Sequence, residues 1–255
     1  MSSPPQDQSL HILAIAAHRD DVEQTCGGTL LKAAHFGQRT GILDLTQGEM
    51  GTRGTAEERA REAFDAASIL GSQWRRALDI PDGRVENTWE NRLKVAAIIR
   101  ETRPQVLILP YWKGRHPDHY TASILGYEAC FLAGLAKLPI SPQPSAPNSQ
   151  IQRLAPHRPF KIVYATLYFD VRPSFVVDIS EQFEAKVASI LAYKSQFSNQ
   201  DAGKDLFPAH EEILARVDAM ARFYGMLGGV THAEPFLQRE VGLVDDLLAI
   251  PVKSI

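Results

Sequence analysis

The chain has 255 residues, 27 Lys and Arg against 30 Asp and Glu, a formal net charge of -3 and 44% hydrophobic residues. This balance excludes the strongly basic footprint of a nucleic-acid binder, and the length is enough to bury about 70–75% of the extended surface without covalent staples. Cys26 and Cys130 have no CxxC spacing, which argues against a disulfide scaffold and makes a reducing cytoplasm the expected location. The polar start MSSPPQDQ lacks the order of a signal peptide, and no apolar run approaches the ~18 residues of a membrane span.

LHILAIAA (10–17) is predicted as a first, buried strand, followed by a helix over 21–36. TGILDL (40–45) is a second strand, and a Gly-rich loop, TQGEMGTRG (46–54), leaves it. Thr55 and Glu58 form a capping box for an amphipathic helix that runs to Gly71. RRALDI (75–80) is a third strand with a turn at Pro81-Asp82-Gly83, then NRLKVAAIIRET (91–102) is helical and QVLILP (105–110) is a fourth strand. A helix is expected over 119–136 and an exposed proline-rich loop over 138–160, a candidate oligomer contact. Strands five (161–169) and six (174–180) and helices at about 181–194 and 209–227 follow, and the tail from Thr231 fits no pattern. The alternation predicts one α/β domain over 1–255, Rossmann-like, with a mostly parallel sheet, a 3-2-1-4-5 core and flanking helices.

In that order strands one and four are neighbours at the switch point, where ligands bind beyond the carboxyl ends of the strands. The two loops that meet there are His18-Arg19-Asp20-Asp21 and Arg115-His116-Pro117-Asp118-His119, the densest His/Asp stretches of the chain. Two His and one carboxylate with an open position is a catalytic zinc arrangement, and His18, Asp21 and His119 can supply it. Asp20, left beside the metal, suits a base for the attacking water. His116 suits stabilisation of an oxyanion or protonation of a leaving amine, as an imidazolium held by Asp118. Asp20-Asp21 also reads as an acidic helix cap, and His-Pro-Asp-His as a stiff turn, but caps do not require three histidines.

AHRDDVE…GG followed by RHPDH resembles the PIG-L/LmbE-like zinc-dependent N-deacetylases, whose signatures are HPDD-x-E and HPDH. LDLTQGEMGTRGT, AYKSQF (192–197) and GVTHAEPF (229–236) are also family-like, and together they look most like the bacillithiol-pathway branch. The resemblance implies the LmbE-like fold, zinc held by His18, Asp21 and His119 (iron(II) suits the same donors), Asp20 as general base, and His116 with Asp118 as its orienting partner. It implies hydrolysis of the 2-acetamido group of an N-acetylglucosaminide such as N-acetylglucosaminyl malate, and assembly as a homo-oligomer, often a hexamer. Asp82 is a candidate for sugar hydroxyls, and Arg53 and Arg115 for a substrate carboxylate. Arg19 stands where the motif has Pro and adds a cation expected near the mouth.

Other classes fit less well. A non-heme iron oxygenase uses the same triad of ligand types but gives no role to Asp20. A nucleotide-binding module calls for G-x-G-x-x-G where this chain has charged residues. A non-catalytic sugar-binding relative, or a deacetylase of chito-oligosaccharides or thiol S-conjugates, is the remaining alternative.

Overall fold

The computed structural model describes residues 9–141, 153–166, 171–198 and 209–252. At its centre β1 (Ile12–Ala16) pairs in parallel with both β2 (Thr40–Asp44) and β4 (Val106–Pro110), Ala14 lying opposite Ile42 on one side and Ile108 on the other. β3 (Trp74–Ala77) extends the sheet beyond β2, and β5 (Lys161–Ala165) beyond β4, all parallel. The expected 3-2-1-4-5 core is therefore present within a seven-stranded sheet ordered β3-β2-β1-β4-β5-β7-β6.

Successive side chains of a strand point to opposite faces. Leu13 and Ile15 join one core with Ile98 of α3 (Trp89–Thr102) and Leu125 of α4 (Pro117–Ala133). Ala14 and Ala16 join a second core with Val22, Cys26 and Leu30 of α1 (Asp21–His35). Burial on both faces explains why β1 reads as an unbroken apolar run. A Cβ built on Gly126 would lie 2.5 Å from Leu109 Cδ2, so glycine there lets α4 approach β4 closely. Thr55 forms the predicted capping box at the start of α2 (Ala56–Ile69): its side chain accepts from Glu58 N–H while Glu58 accepts from Thr55 N–H.

Three expectations need correction. The helix expected from residue 119 starts at Pro117, because proline suits the first helical position and His116 caps it. The helix expected over 181–194 is α5 (Phe183–Leu191) followed by a single turn, α6 (Lys194–Phe197). The unassigned tail holds β7 (Ala233–Leu237), which enters antiparallel between β5 and β6 (Phe175–Asp178). Pro235 hides that strand in the sequence, since proline argues against an interior strand. Here Pro235 lies opposite Val176 of β6, and among the described residues β5 pairs with Phe236 and Leu237. The longest helix, α7 (His210–Gly228), covers β7 and β6. Residues 142–152 of the proline-rich stretch and the end of strand five lie outside the described residues. No described helix is long and apolar enough to cross a membrane.

Candidate metal centre and active site

The chain leaves β1 through a strained turn. Asp20 adopts φ 98° and ψ −21°, left-handed values that carry a cost of about 1–3 kcal/mol for a non-glycine residue. Its side chain makes no capping bond to α1. Asp21 instead reaches back, and its Oδ2 accepts the His18 backbone N–H at 3.0 Å. These acids are therefore not serving as an ordinary helix cap. Across the switch point, His116 Nδ1 accepts the Asp118 backbone N–H at 3.2 Å, and His119 stands in the first turn of α4.

The two loops meet as the topology predicts. His18 Nδ1 lies 3.2 Å from His119 Nε2 and 3.5 Å from Asp21 Oδ2, and His119 Nε2 lies 3.3 Å from Asp21 Oδ1. Donors held at about 2.0–2.1 Å around a tetrahedral ion would be ~3.4 Å apart, close to each of these distances, with Asp21 reaching the two rings through different oxygens. His18, His116 and His119 also bring ring nitrogens within 4.8 Å of one another, as do His18, Asp82 and Asp118 with their ligand atoms. Asp21 with His18 and His119 supplies two imidazoles and one carboxylate, and His116 stands at the exposed rim.

Electrostatics match a site that expects a cation. Burial opposes charge on His18, but Asp118, Asp21 and Asp82 outweigh it and push its pKa to about 12. Burial would likewise raise Asp21, yet His119 and His18 hold it well below the usual carboxylate range. His119 is raised, burial being outweighed by Asp21. His116 is lowered, by burial and by the charges of His18 and His119. The imidazolium expected at His116 is thus disfavoured. With Nδ1 accepting from the backbone, the neutral ring carries its proton on Nε2.

Asp118 does not orient His116 through its carboxylate, as the motif suggested. Asp118 Oδ2 faces His18 Nε2 at 3.2 Å and accepts Gly83 N–H at 2.8 Å, while Oδ1 accepts Val85 N–H at 3.1 Å. Asp82, expected to await sugar hydroxyls, places Oδ1 3.1 Å from the same His18 nitrogen and accepts Met50 N–H through Oδ2. Two carboxylates thus hold the Nε2–H of His18 and leave Nδ1 facing His119 and Asp21, the nitrogen that would ligate an ion once its proton is displaced.

Asp20 sits off this donor set. Burial pushes its pKa up to about 7; the nearby Arg59 opposes the rise, while Asp21 and Glu23 add to it. Arg59 Nη2 lies 3.4 Å from Asp20 Oδ1 and donates to Arg19 O at 2.7 Å, and Gln24 Nε2 donates to Asp20 Oδ2 at 3.3 Å. Arg19 is buried rather than at the mouth, its Nη1 bonding Ala56 O and Gln47 O at 2.6 and 3.2 Å. Arg53 is also buried and donates to Gln196 O. Arg115 is exposed beside His116. A narrow cavity of about 40 Å³ opens beside Asp21 and His119, bordered by Ala16, Thr25, Cys26 and Ile108.

Several motif residues are structural. Glu23 is fully buried and accepts from Arg75 at 2.6 Å and from the Tyr193 hydroxyl at 3.1 Å, and Arg75 also forks onto both Asp44 oxygens at 2.9 Å. His232 stacks on Phe183 and meets Asp218 Oδ1 at 3.0 Å. Sequence reasoning missed Arg59 and Arg75. Arg59 falls on the same helical face as Ala63, Ala66 and Leu70, so a cation on an otherwise apolar stripe was its signal. Arg75 on a short strand carried none.

Residues 13–130 match the PIG-L family, described as GlcNAc-PI de-N-acetylase. The chain is 32% identical to the diacetylchitobiose deacetylase of Thermococcus kodakarensis over 234 residues, covering 88% of this chain and 80% of that one. Among solved structures it resembles the conserved protein TT1542 from Thermus thermophilus, with TM-score 0.79 and 40% identity over 92% of this chain and 98% of the other. It also resembles the N,N'-diacetylchitobiose deacetylase of Pyrococcus horikoshii in complex with its inhibitor MPG, with TM-score 0.74 and 26% identity over 88% and 82% of the two chains.

Proposed function

Because the chain belongs to the PIG-L family of deacetylases, we propose that it hydrolyses the 2-acetamido group of an N-acetylglucosaminide, releasing acetate and a free amine. The observation that carries this reading is the trio His18 Nδ1, His119 Nε2 and Asp21, with Asp20 poised near neutrality beside it. His18, Asp21 and His119 would hold a divalent ion, zinc in our reading, with iron(II) suited to the same donors. When bound, such an ion supplies Lewis-acid polarisation of the amide carbonyl and lowers the pKa of a water.

The remaining work falls to this chain's own side chains. Asp20 takes a proton from the water as its oxygen attacks the acetyl carbon, its burial making the carboxylate more basic than a free aspartate in the metal-free protein. His116, neutral and protonated on Nε2, donates to the oxygen on which charge develops. The proton held by Asp20 passes to the sugar nitrogen as the C–N bond breaks. Asp118 and Asp82 keep His18 in the ligating tautomer throughout. The cavity beside Asp21 and His119 would take the acetyl methyl.

Two aglycones are in view. The chitobiose-directed relatives favour a second sugar. The exposed Arg115 favours an anion such as the malate of N-acetylglucosaminyl malate, the bacillithiol-pathway substrate, because guanidinium suits carboxylates. The protein acts in the cytoplasm as a homo-oligomer in this reading. Acetate release from both substrates by metal-stripped and zinc-refilled protein tests it. Zinc-dependent release from either supports the deacetylase reading, and the ratio assigns the aglycone. No release from either counts against it.

A further inference from the structure

Helix α1 is broken at Cys26, whose φ of −142° and ψ of 16° are not helical. In an unbroken helix the Gly28 N–H would bond Gln24 O, and Thr29 N–H would bond Thr25 O. Here Gly28 N–H donates to Glu234 Oε1 at 2.9 Å and Thr29 N–H to Glu234 Oε2 at 2.7 Å, with the Thr29 hydroxyl on Oε2 at 2.6 Å. Gln24 O accepts instead from Lys186 Nζ at 2.8 Å. Lys186 and Glu234 meet at 2.5 Å and are both buried. An ion pair brought by α5 and β7 is thus inserted where two helical bonds would close, its anion on the new N-terminal turn and its cation on the Gln24 carbonyl.

A buried ion pair is weak evidence for stability, since apolar residues of similar volume often stabilise as well. Its location offers a different reason for its presence. The turn cut off by the break, residues 21–25, carries Asp21 and Gln24, and Gln24 holds Asp20 Oδ2. Lys186 grips the backbone of that same turn.

We propose that Lys186 and Glu234 are positioning residues: by holding α1 open at Cys26, they set the direction of the Asp20–Gln24 turn so that Asp21 meets His18 and His119 and Asp20 stays off the donor set. The inference rests on the metal-site reading above for the role of Asp21.

The test is zinc affinity, measured by chelator competition on the metal-free protein and its variants, with circular dichroism as the check on folding. Glu234→Gln keeps the volume but loses an acceptor, and Lys186→Met removes the grip on Gln24 O. Each is expected to weaken zinc about 10–100-fold in a folded protein, the range for residues that orient metal ligands. Lys186→Arg, which retains a cationic donor, should recover most of the loss. Should either single variant fail to fold, the double variant Lys186→Met/Glu234→Leu decides. It leaves no lone buried charge and frees the rung to close, so it should fold and still bind zinc weakly. A folded double variant with zinc affinity within twofold of the parent overturns the inference, as does a loss of thermal stability alone in the single variants. Absence of zinc binding by the parent chain would instead overturn the metal-site reading, and the inference with it.

Discussion

Asp118 and His18, one hundred residues apart in the chain, face each other at 3.2 Å, carboxylate to Nε2, at the switch point of the sheet. Gly83 and Val85 donate backbone N–H groups to the same carboxylate, so it is aimed from three directions. Asp118→Asn should therefore act on the metal rather than on His116. Zinc affinity should fall about 10–100-fold, the usual cost of losing a partner that orients a ligating histidine. Chelator competition measures this, and unchanged affinity with a lost alkaline limb in the rate profile would return Asp118 to His116.

Asp20 combines a left-handed backbone with a buried carboxylate whose pKa is lifted to about 7. Asparagine tolerates that backbone and carries no charge. Asp20→Asn should keep zinc, hold or raise the melting temperature, and lower kcat about 10²–10⁴-fold, the span of general acid–base catalysis. Thermal melts and steady-state rates on one preparation separate these effects.

Arg59 opposes the rise of Asp20, so its removal has a signed consequence. Loss of the cation disfavours the carboxylate, and the Asp20 midpoint should climb above 7 in Arg59→Gln. Carbon-13 titration of aspartate carboxyls in the metal-free protein reads this directly. A midpoint that stays put would mean that Arg59 serves only Arg19 O and Gly48 O.

Metal binding should depend steeply on pH. In the metal-free protein His18 is held protonated, with a pKa of about 12, and His119 is raised. A metal must displace these protons, so apparent affinity should rise with pH by up to about tenfold per unit for each proton released. Calorimetry in buffers of different ionisation enthalpy counts the protons. Zero release at neutral pH would contradict the protonated His18.

Arg115→Ala should weaken KM for an anionic glucosaminide more than for a neutral one, by about tenfold for a lost charge-assisted pair. Steady-state kinetics on N-acetylglucosaminyl malate and diacetylchitobiose compare them. Equal losses would remove Arg115 from substrate recognition.

The parallel core was legible because β1, β2 and β4 are short apolar runs separated by helical periods, and the right-handed crossover rule then orders them. The same order placed His18 and His119 in facing loops from topology alone. What the sequence hid has physical causes. Pro235 masked β7, which enters the sheet from the far end of the chain. The partner of Asp118 depends on where β3 delivers Gly83 and Val85, a matter of tertiary placement rather than of spacing. Arg19 looked like a mouth cation because charge suggests exposure, yet Ala56 O and Gln47 O give its guanidinium acceptors inside.

The central claim is that His18, Asp21 and His119 hold the catalytic ion. Crystals of zinc-refilled protein, measured on both sides of the zinc absorption edge, test it most directly. The account predicts one anomalous peak about 2.0–2.2 Å from His18 Nδ1, His119 Nε2 and an Asp21 oxygen. A peak on the Nε2 side of His18, between Asp82 and Asp118, would contradict it, as would no peak at the switch point.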